Sequence, residues 1–441
     1  MMIVTPRPIT DDEYIGGNLV EDDHDEWADS TMYDFKDYVL VSSVHAVFQC
    51  LRDHESTAEN SPTAEAAAFA DPLVDDPDPA TWIRVGASNR YRLFDERPSQ
   101  RAENADEIRV SLAVPDQSSN RIAFVNLANC GELHVDVIHG ASHVRLSWAE
   151  PSDGGQTITR YEYRRKRADD ADWGDWTEME DSDHTTTFYD VYGIDPEFTD
   201  WEFQVRAVNG VGNGTESATA DLDATTYQPG DTIPPFENGS RRTAPQDRPD
   251  TATEPEAPTS VMAEQHRTEL FDTSAELADN SEVIDWLTFF FSEPRVLDQK
   301  IITIPLTVPG DAILIRLEGT ANLGCGQIVL GLGETVGEST SHNSEIDLID
   351  FSHAEVDVYG NLTTVEREAV EVFNFGVLTQ VNDTAKLLAA LRRQKGGKRA
   401  LWVASEADNV RGWIYGFLED LRGEFEQGSH IRSRLTVQGV T

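Results

Sequence analysis

The residues with most chemical potential in this chain are its carboxylates, 80 Asp and Glu against 35 Lys and Arg. Paired carboxyls can hydrolyse glycosides, one donating a proton while the other acts as base or nucleophile. Among so many acids chance pairs are guaranteed, and none stands out. Clustered carboxylates also suit calcium. Two runs qualify, Glu21-Asp22-Asp23-His24-Asp25 and Asp75-Asp76-Pro77-Asp78-Pro79. Neither has the ligand spacing of an EF-hand loop, so no metal residue is assigned. Cys50, Cys130 and Cys325 are widely separated and fit no zinc or redox spacing. Buried, reduced thiols are the expectation. Gly-x-Ser-x-Gly, His-Glu-x-x-His and a phosphate-cradling glycine loop do not occur in the sequence. Gly324-x-Gly326 and Gly331-x-Gly333 open no helix and read as turns. The chain is expected not to be an enzyme, with no catalytic residue, cofactor or metal.

A second group is basic. Arg392, Arg393, Lys395, Lys398 and Arg399 fall within one short stretch of an acidic chain. Nucleic-acid binding is one reading, and a helix end docking on an acidic neighbouring subunit is the favoured one. The net charge of −45 argues against non-specific contact with phosphate backbones. Only six of the 35 basic residues are lysine. Such a surface repels itself in dilute buffer, and at about 1 M salt a Debye length of roughly 3 Å screens the repulsion. The composition points to a halophile, and to a haloarchaeal setting. Asn213, Asn238, Asn361 and Asn382 lie in glycosylation sequons at about the frequency chance gives.

The elements that would position these groups are mostly strands. At 441 residues about three domains are expected. The start, Met-Met-Ile-Val-Thr-Pro-Arg-Pro, lacks a signal-peptide core, and the longest apolar runs, such as 286–291, are far short of a membrane span. A soluble chain made in the cytoplasm, without membrane insertion, is expected. Residues 1–81 combine short apolar bursts, Tyr38-Val39-Leu40-Val41 and 44–48, with acidic loops. Residues 82–95 alternate as two short strands around a turn at 86–89. Residues 108–114 and 121–127 continue as strands, and 285–291, 300–304, 312–317 and 326–331 resume the pattern after an interruption. Neither half alone has enough strands for two packed sheets, which favours one sandwich, 82–131 with 258–337, split by an insertion. The rival is a plain string of four domains.

The insertion itself, 132–226, has about seven short strands with regular turns. Residues 227–257, rich in Pro, Thr and Glu, read as a flexible, extended linker. The last unit, 338–441, is α+β. Strands at 347–351, 365–375, 400–404, 413–418 and 431–437 flank one helix. Asn382 or Asp383 caps it, Leu387, Leu388 and Leu391 face its core, and Gly396-Gly397 stop it. The fold class is therefore mainly β and multidomain.

Six resemblances add to this. Residues 82–95, Trp82-Ile83-Arg84-Val85-Gly86-Ala87-Ser88-Asn89-Arg90-Tyr91-Arg92-Leu93-Phe94-Asp95, resemble a block near the start of tail-tip proteins of tailed viruses. The split sandwich resembles the galactose-binding type of jelly roll found in that family. Residues 387–439, with their Leu-x-x-Leu-Arg, Trp and Tyr-Gly-Phe pattern, resemble the family's C-terminal portion. The sheet with one helix is also similar in shape to ring-forming tail domains. Residues 1–81 resemble the small chitin-binding type of carbohydrate-binding module at Trp27, Thr31, Tyr33, Asp37, Val39, Phe48 and Cys50, closing at Trp82. Lys36 replaces the family's glycine, and Leu51-Arg52-Asp53 replaces its exposed aromatic. This resemblance implies glycan contact at Trp27, Tyr33 and Tyr38. The insertion resembles a fibronectin type III domain, with Trp148 and Tyr161 as core residues and Trp201 at the place of its corner tyrosine. Trp82, Tyr91, Phe94, Trp286 and Trp402 are the other expected core anchors.

Together the resemblances imply a structural protein of a viral tail tip or baseplate infecting a haloarchaeon. Its partners would be other tail proteins, further copies in a symmetric homo-oligomer, and a host surface glycan or glycoprotein, not nucleic acid. It would assemble in the host cytoplasm and end in the virion tail. The alternative is a secreted or surface carbohydrate-binding accessory protein of a halophilic archaeon. An S-layer or adhesion protein is a third class, disfavoured by the absent signal and anchor.

Overall fold

Two strands of unusual length organise the chain, Arg121–His139 and Asp311–Thr335, paired antiparallel. Strands usually end within ten residues. These two continue because each turns a corner and serves two sheets. Their register slips between Ala128 and Cys130 and again between Cys130 and Glu132. Asn126, Asn129 and Asn322 adopt left-handed backbone there, with φ of 58°, 55° and 64°. Asparagine tolerates that region better than other side chains. In the computed structural model, the described residues are 1–64, 80–114, 118–141, 143–241, 252–279, 295–350, 352–356, 362–365, 369–394, 396–404, 412–425 and 430–440.

Before the corner, residues 311–318 lie between Glu107–Val114 and 132–139, and 268–276 flank the latter. After it, residues 121–125 lie between Gln299–Thr303 and 327–331. Period-two alternation sends Ile108, Val110, Leu133, Val135, Ile313 and Ile315 from the first sheet against Ile122, Phe124, Ile302, Ile328 and Leu330 from the second. Strands from both sides of the insertion therefore close one core. Gly331 and Gly333 are not turn residues but lie inside Asp311–Thr335. A Cβ on Gly331 would come within 2.2 Å of the Thr5 carbonyl oxygen.

That close neighbour is the N-terminal strand Met2–Pro6, which pairs with residues 331–335 on one side and with 401–403 on the other. It is apolar on both faces because both are covered. Met1 and Ile3 enter a core with Phe373, Phe375, Leu391 and Trp402. Met2 and Val4 enter another with Ala123, Ile301, Val329, Leu401 and Tyr415. The second sheet thus continues through Met2–Pro6 and curls back over its own outer face. Residues 1–6 were expected in the N-terminal module and instead join the central and C-terminal sheets.

The C-terminal sheet runs from Arg399–Val403 through Trp413–Phe425, His430–Gly439 and Val370–Gln380 to Glu338–Ile349. The helix Thr384–Arg393 packs on it through Leu387, Ala390 and Leu391. Leu388, expected in the core, is 38% exposed. Asp383 stands at the cap position without a side-chain capping bond, and Gly396 and Gly397 stop the helix with φ of 84° and 74°. Among the described residues no helix is long and apolar enough to cross a membrane.

The insertion is a second sandwich. His143–Ala149 pairs with Phe188–Tyr192, and Ile158–Arg167 with Trp201–Asn209. Trp148 and Tyr161, both fully buried, meet between the sheets at 5.0 Å. The strand Thr259–Glu276 first extends this sandwich beside 145–149, then pairs with 132–139 in the frame. Described parts of the linker are held rather than free. Glu150 N–H donates to Ser240 at 3.2 Å, Thr253 N–H to Gly154 at 2.8 Å and Glu256 N–H to Ser152 at 3.1 Å.

The small N-terminal module is a three-stranded sheet, Tyr38–Val41, Ala46–Cys50 and Trp82–Ala87. The boundary expected after residue 81 therefore falls inside one sheet, and Trp82 belongs to this module's core. The second strand expected around Tyr91 is a 3-10 turn, Arg90–Leu93. The residues 75–79, 285–291 with Trp286, Asn361 and Lys395 lie outside the described residues.

Candidate functional site

Strand parity decides which N-terminal aromatics can meet a ligand. Tyr38 and Val39 are neighbours on Tyr38–Val41 and so point to opposite faces. Val39 is buried, and Tyr38 is 42% exposed. The Tyr38 ring stacks on His24 with centroids 5.2 Å apart and 17° between planes. Its hydroxyl accepts a 2.7 Å hydrogen bond from Gln49 Nε2. The pair opens on a cup lined by residues 21–26 and Leu40. An aromatic face beside carboxylates suits sugar binding, the ring taking C–H groups and the acids accepting from hydroxyls.

Tyr33, expected to share that face, is buried edge-on against Trp82 at 5.1 Å and accepts from Ala28 N–H at 2.9 Å. Trp27 packs on the same core, and its indole N–H is buried without an acceptor among the described residues. Of the three expected contacts, Tyr38 alone presents an exposed ring.

The cup's acids are unequal. Glu26 accepts from Ser42 N–H at 3.0 Å. Asp23 accepts from Asn89 N–H at 2.6 Å and faces Arg92 at 3.4 Å. Glu21 meets His45 Nδ1 at 2.9 Å, Ser88 Oγ, and Arg90 at 3.7 Å. Asp22 and Asp25 carboxylates carry no hydrogen bond or ion pair among the described residues, and they are the acids left for a ligand.

Behind the cup, the 88–92 turn forms a clamp. His45 lies between Glu21 and Asp11, whose Oδ2 is 2.9 Å from Nε2. Its ring stacks on Tyr91 at 3.8 Å, and the Tyr91 hydroxyl donates to Asp11 at 2.7 Å. Burial opposes charge on His45, but hydrogen bonds to Asp11 and Glu21 outweigh it and hold the imidazole above its ordinary value. The same bonds, from His45 and then Tyr91, hold Asp11 below the usual carboxylate range. Arg90 also donates to Leu19 O at 3.1 Å and lies 4.9 Å over the Tyr14 ring. Tyr91 is thus a polar clamp rather than a core anchor, and Phe94 is partly buried against the central core.

Residues 130–222 match the fibronectin type III domain model. The match begins inside Arg121–His139, slightly before the expected start at 132. No curated protein matches the chain. In this domain Trp201 is only partly buried, and its N–H finds no acceptor among the described residues. The corner hydrogen bond of a tyrosine is replaced by Arg165 and Arg167 over the ring, at 5.2 and 5.8 Å. The domain's outer face carries a ladder that sequence reading missed. Lys166 lies over Trp173, Arg164 over both Trp173 and Trp176, and Arg206 over Trp176 at 4.2 Å. Glu162, Glu202 and Glu216 pair with these cations, so the ladder is close to neutral.

The C-terminal basic stretch is partly engaged inside the chain. Arg393 pairs with Glu334 and Arg399 with Glu96. Those two are therefore not held open for a neighbouring subunit. Cys50, Cys130 and Cys325 are buried free thiols. Burial pushes Cys130 up to about 12. One carboxyl pair does stand out, Asp136 and Asp272, which face each other across adjacent strands. Burial, then hydrogen bonding to Asp272, pushes Asp136 up to about 7.

Proposed function

We propose that the protein is a structural component of a viral tail tip or baseplate, a frame that scaffolds the tail end and carries an outward arm. The observation that carries this reading is the root of the insertion. Arg121–His139 leaves the frame and Thr259–Glu276 returns to it as hydrogen-bonded antiparallel neighbours. A domain rooted on two adjacent strands of a sandwich is a docking module on a fixed base. The resemblance of residues 82–95 and 387–439 to tail-tip proteins supplies the setting. In that setting, copies and other tail proteins form a symmetric assembly, and the arm and N-terminal module meet a host glycan or glycoprotein. The acidic surface fits a haloarchaeal host. An antibody to this chain, imaged on purified virions of a halophile, should label the tail end. Virions without label, or a gene flanked by a glycoside hydrolase instead of tail-tube or tape-measure genes, would overturn the reading.

The cup at Tyr38 and His24 favours a second reading, a carbohydrate-binding accessory protein of a halophilic archaeon. On a glycan array the full-length chain should then bind, and Tyr38→Ala should lose the signal. An array without hits removes sugar binding from both readings.

A further inference from the structure

On the outer face of the first sheet, register aligns four carboxylates in a row across four strands. Glu276 lies opposite Glu132, Glu132 opposite Glu318, and Glu318 opposite Glu107. Like charges directly opposite on neighbouring strands destabilise a sheet. Part of the row is compensated, since Arg109 is 3.3 Å from Glu107 and Arg316 is 3.3 Å from Glu318. Glu132 and Glu276 have no arginine or lysine in ion-pair reach among the described residues. The nearest cationic candidate to Glu132 is His134, two residues along the same strand and on the same face.

His134 Nε2 is 3.4 Å from Glu132 Oε1 and 3.9 Å from Glu318 Oε1. One ligand atom from each of the three lies within 4.8 Å of the others. Ligand atoms held tetrahedrally at roughly 2.1 Å from zinc lie about 3.4 Å apart. Reaching that spacing requires the side chains to close from within 4.8 Å and Glu318 Oε1 to turn from Arg316, on backbone positions held by the sheet. We propose that Glu132, His134 and Glu318 bind a divalent transition ion such as Zn²⁺. One imidazole with two carboxylates suits a borderline ion better than Ca²⁺ or Mg²⁺. Its role is that of a cross-strand staple. Glu132 and His134 stand on the strand that enters the inserted domain, and Glu318 on the central strand of the frame, so the ion ties the arm's root to its base and neutralises the carboxylate row.

The test uses the full-length chain, stripped of metal in about 2 M NaCl to suppress diffuse cation pairing. Calorimetric titration with Zn²⁺ should show one tight equivalent, and Co²⁺ should give visible ligand-field bands. His134→Ala should abolish the bands and weaken Zn²⁺ by more than the roughly 10- to 100-fold that loss of an outer-shell partner costs. The variant Glu132→Gln with Glu318→Gln removes two repelling charges, so it keeps its fold while losing the ion. No heat with the parent protein, an isotherm unchanged in both variants, or full displacement by millimolar Mg²⁺ would overturn the proposal.

Discussion

Replacing Ile3 with alanine should weaken regions more than 300 positions away while leaving the N-terminal module intact. Ile3 is 2% exposed and packs in one core with Val336, Phe375, Leu391 and Trp402. Truncating a buried isoleucine costs about 2–5 kcal/mol, more when the site cannot collapse. Met2–Pro6 is hydrogen-bonded on both sides, so its backbone cannot close the void, and about 3 kcal/mol is expected. That raises the open population of this core by roughly two orders of magnitude. Hydrogen exchange read by mass spectrometry should show faster exchange in peptides covering 331–336, 370–380 and 399–403. Peptides covering 38–50 and 201–209 should keep their protection. Losing residues 1–4 altogether removes four buried side chains at roughly 1.5–3 kcal/mol each, an upper bound that rivals the stability of a whole domain. The C-terminal sheet should then detach. Faster exchange confined to residues 1–64, or no change, would refute the placement of this strand.

Trp176→Ala breaks the middle of the cation–aromatic ladder and should cost the fibronectin-like domain about 1–2 kcal/mol, seen as a lower melting transition of that domain. Asp136 has a folded value near 7, above its unfolded one, so the folded state binds the extra proton between about pH 4 and 7. Stability should fall as pH rises through that window, and Asp136→Asn should flatten the slope in denaturant titrations at pH 5 and 8. With a net charge of −45, melting temperature should drop as NaCl falls from molar to about 0.1 M. Unchanged melting would separate this acidity from salt dependence.

Much of the strand pattern was legible because alternation is local. Residues 108–114, 121–127 and 158–164 read as strands, and strands occupy them. Partners were not legible, because register is set between segments far apart in the chain. Met1 to Val4 look like any apolar start, and only their two ladders explain why all four are buried. Residues 90–93 alternate like a strand, yet Arg90, Tyr91 and Arg92 pair with Glu21, Asp11 and Asp23 in turn, and that network holds a 3-10 turn. Tyr33 and Tyr38 are chemically alike, and only burial against Trp82 separates them. In the helix, Ala390 is buried and Leu388 is not, because the sheet below selects one stripe. The trio Glu132, His134 and Glu318 joins two distant segments, so no spacing along the chain announced it.

The paired root of the inserted domain also sets a mechanical property. Both strands leaving the arm run into the frame side by side, and Arg121–His139 stays paired with Asp311–Thr335 along nearly its full length. A pull on the arm therefore loads this ladder in shear, so that many hydrogen bonds must yield together rather than one at a time. Tension applied at the tip should unfold the domain between its own two sheets before it draws the root out of the frame.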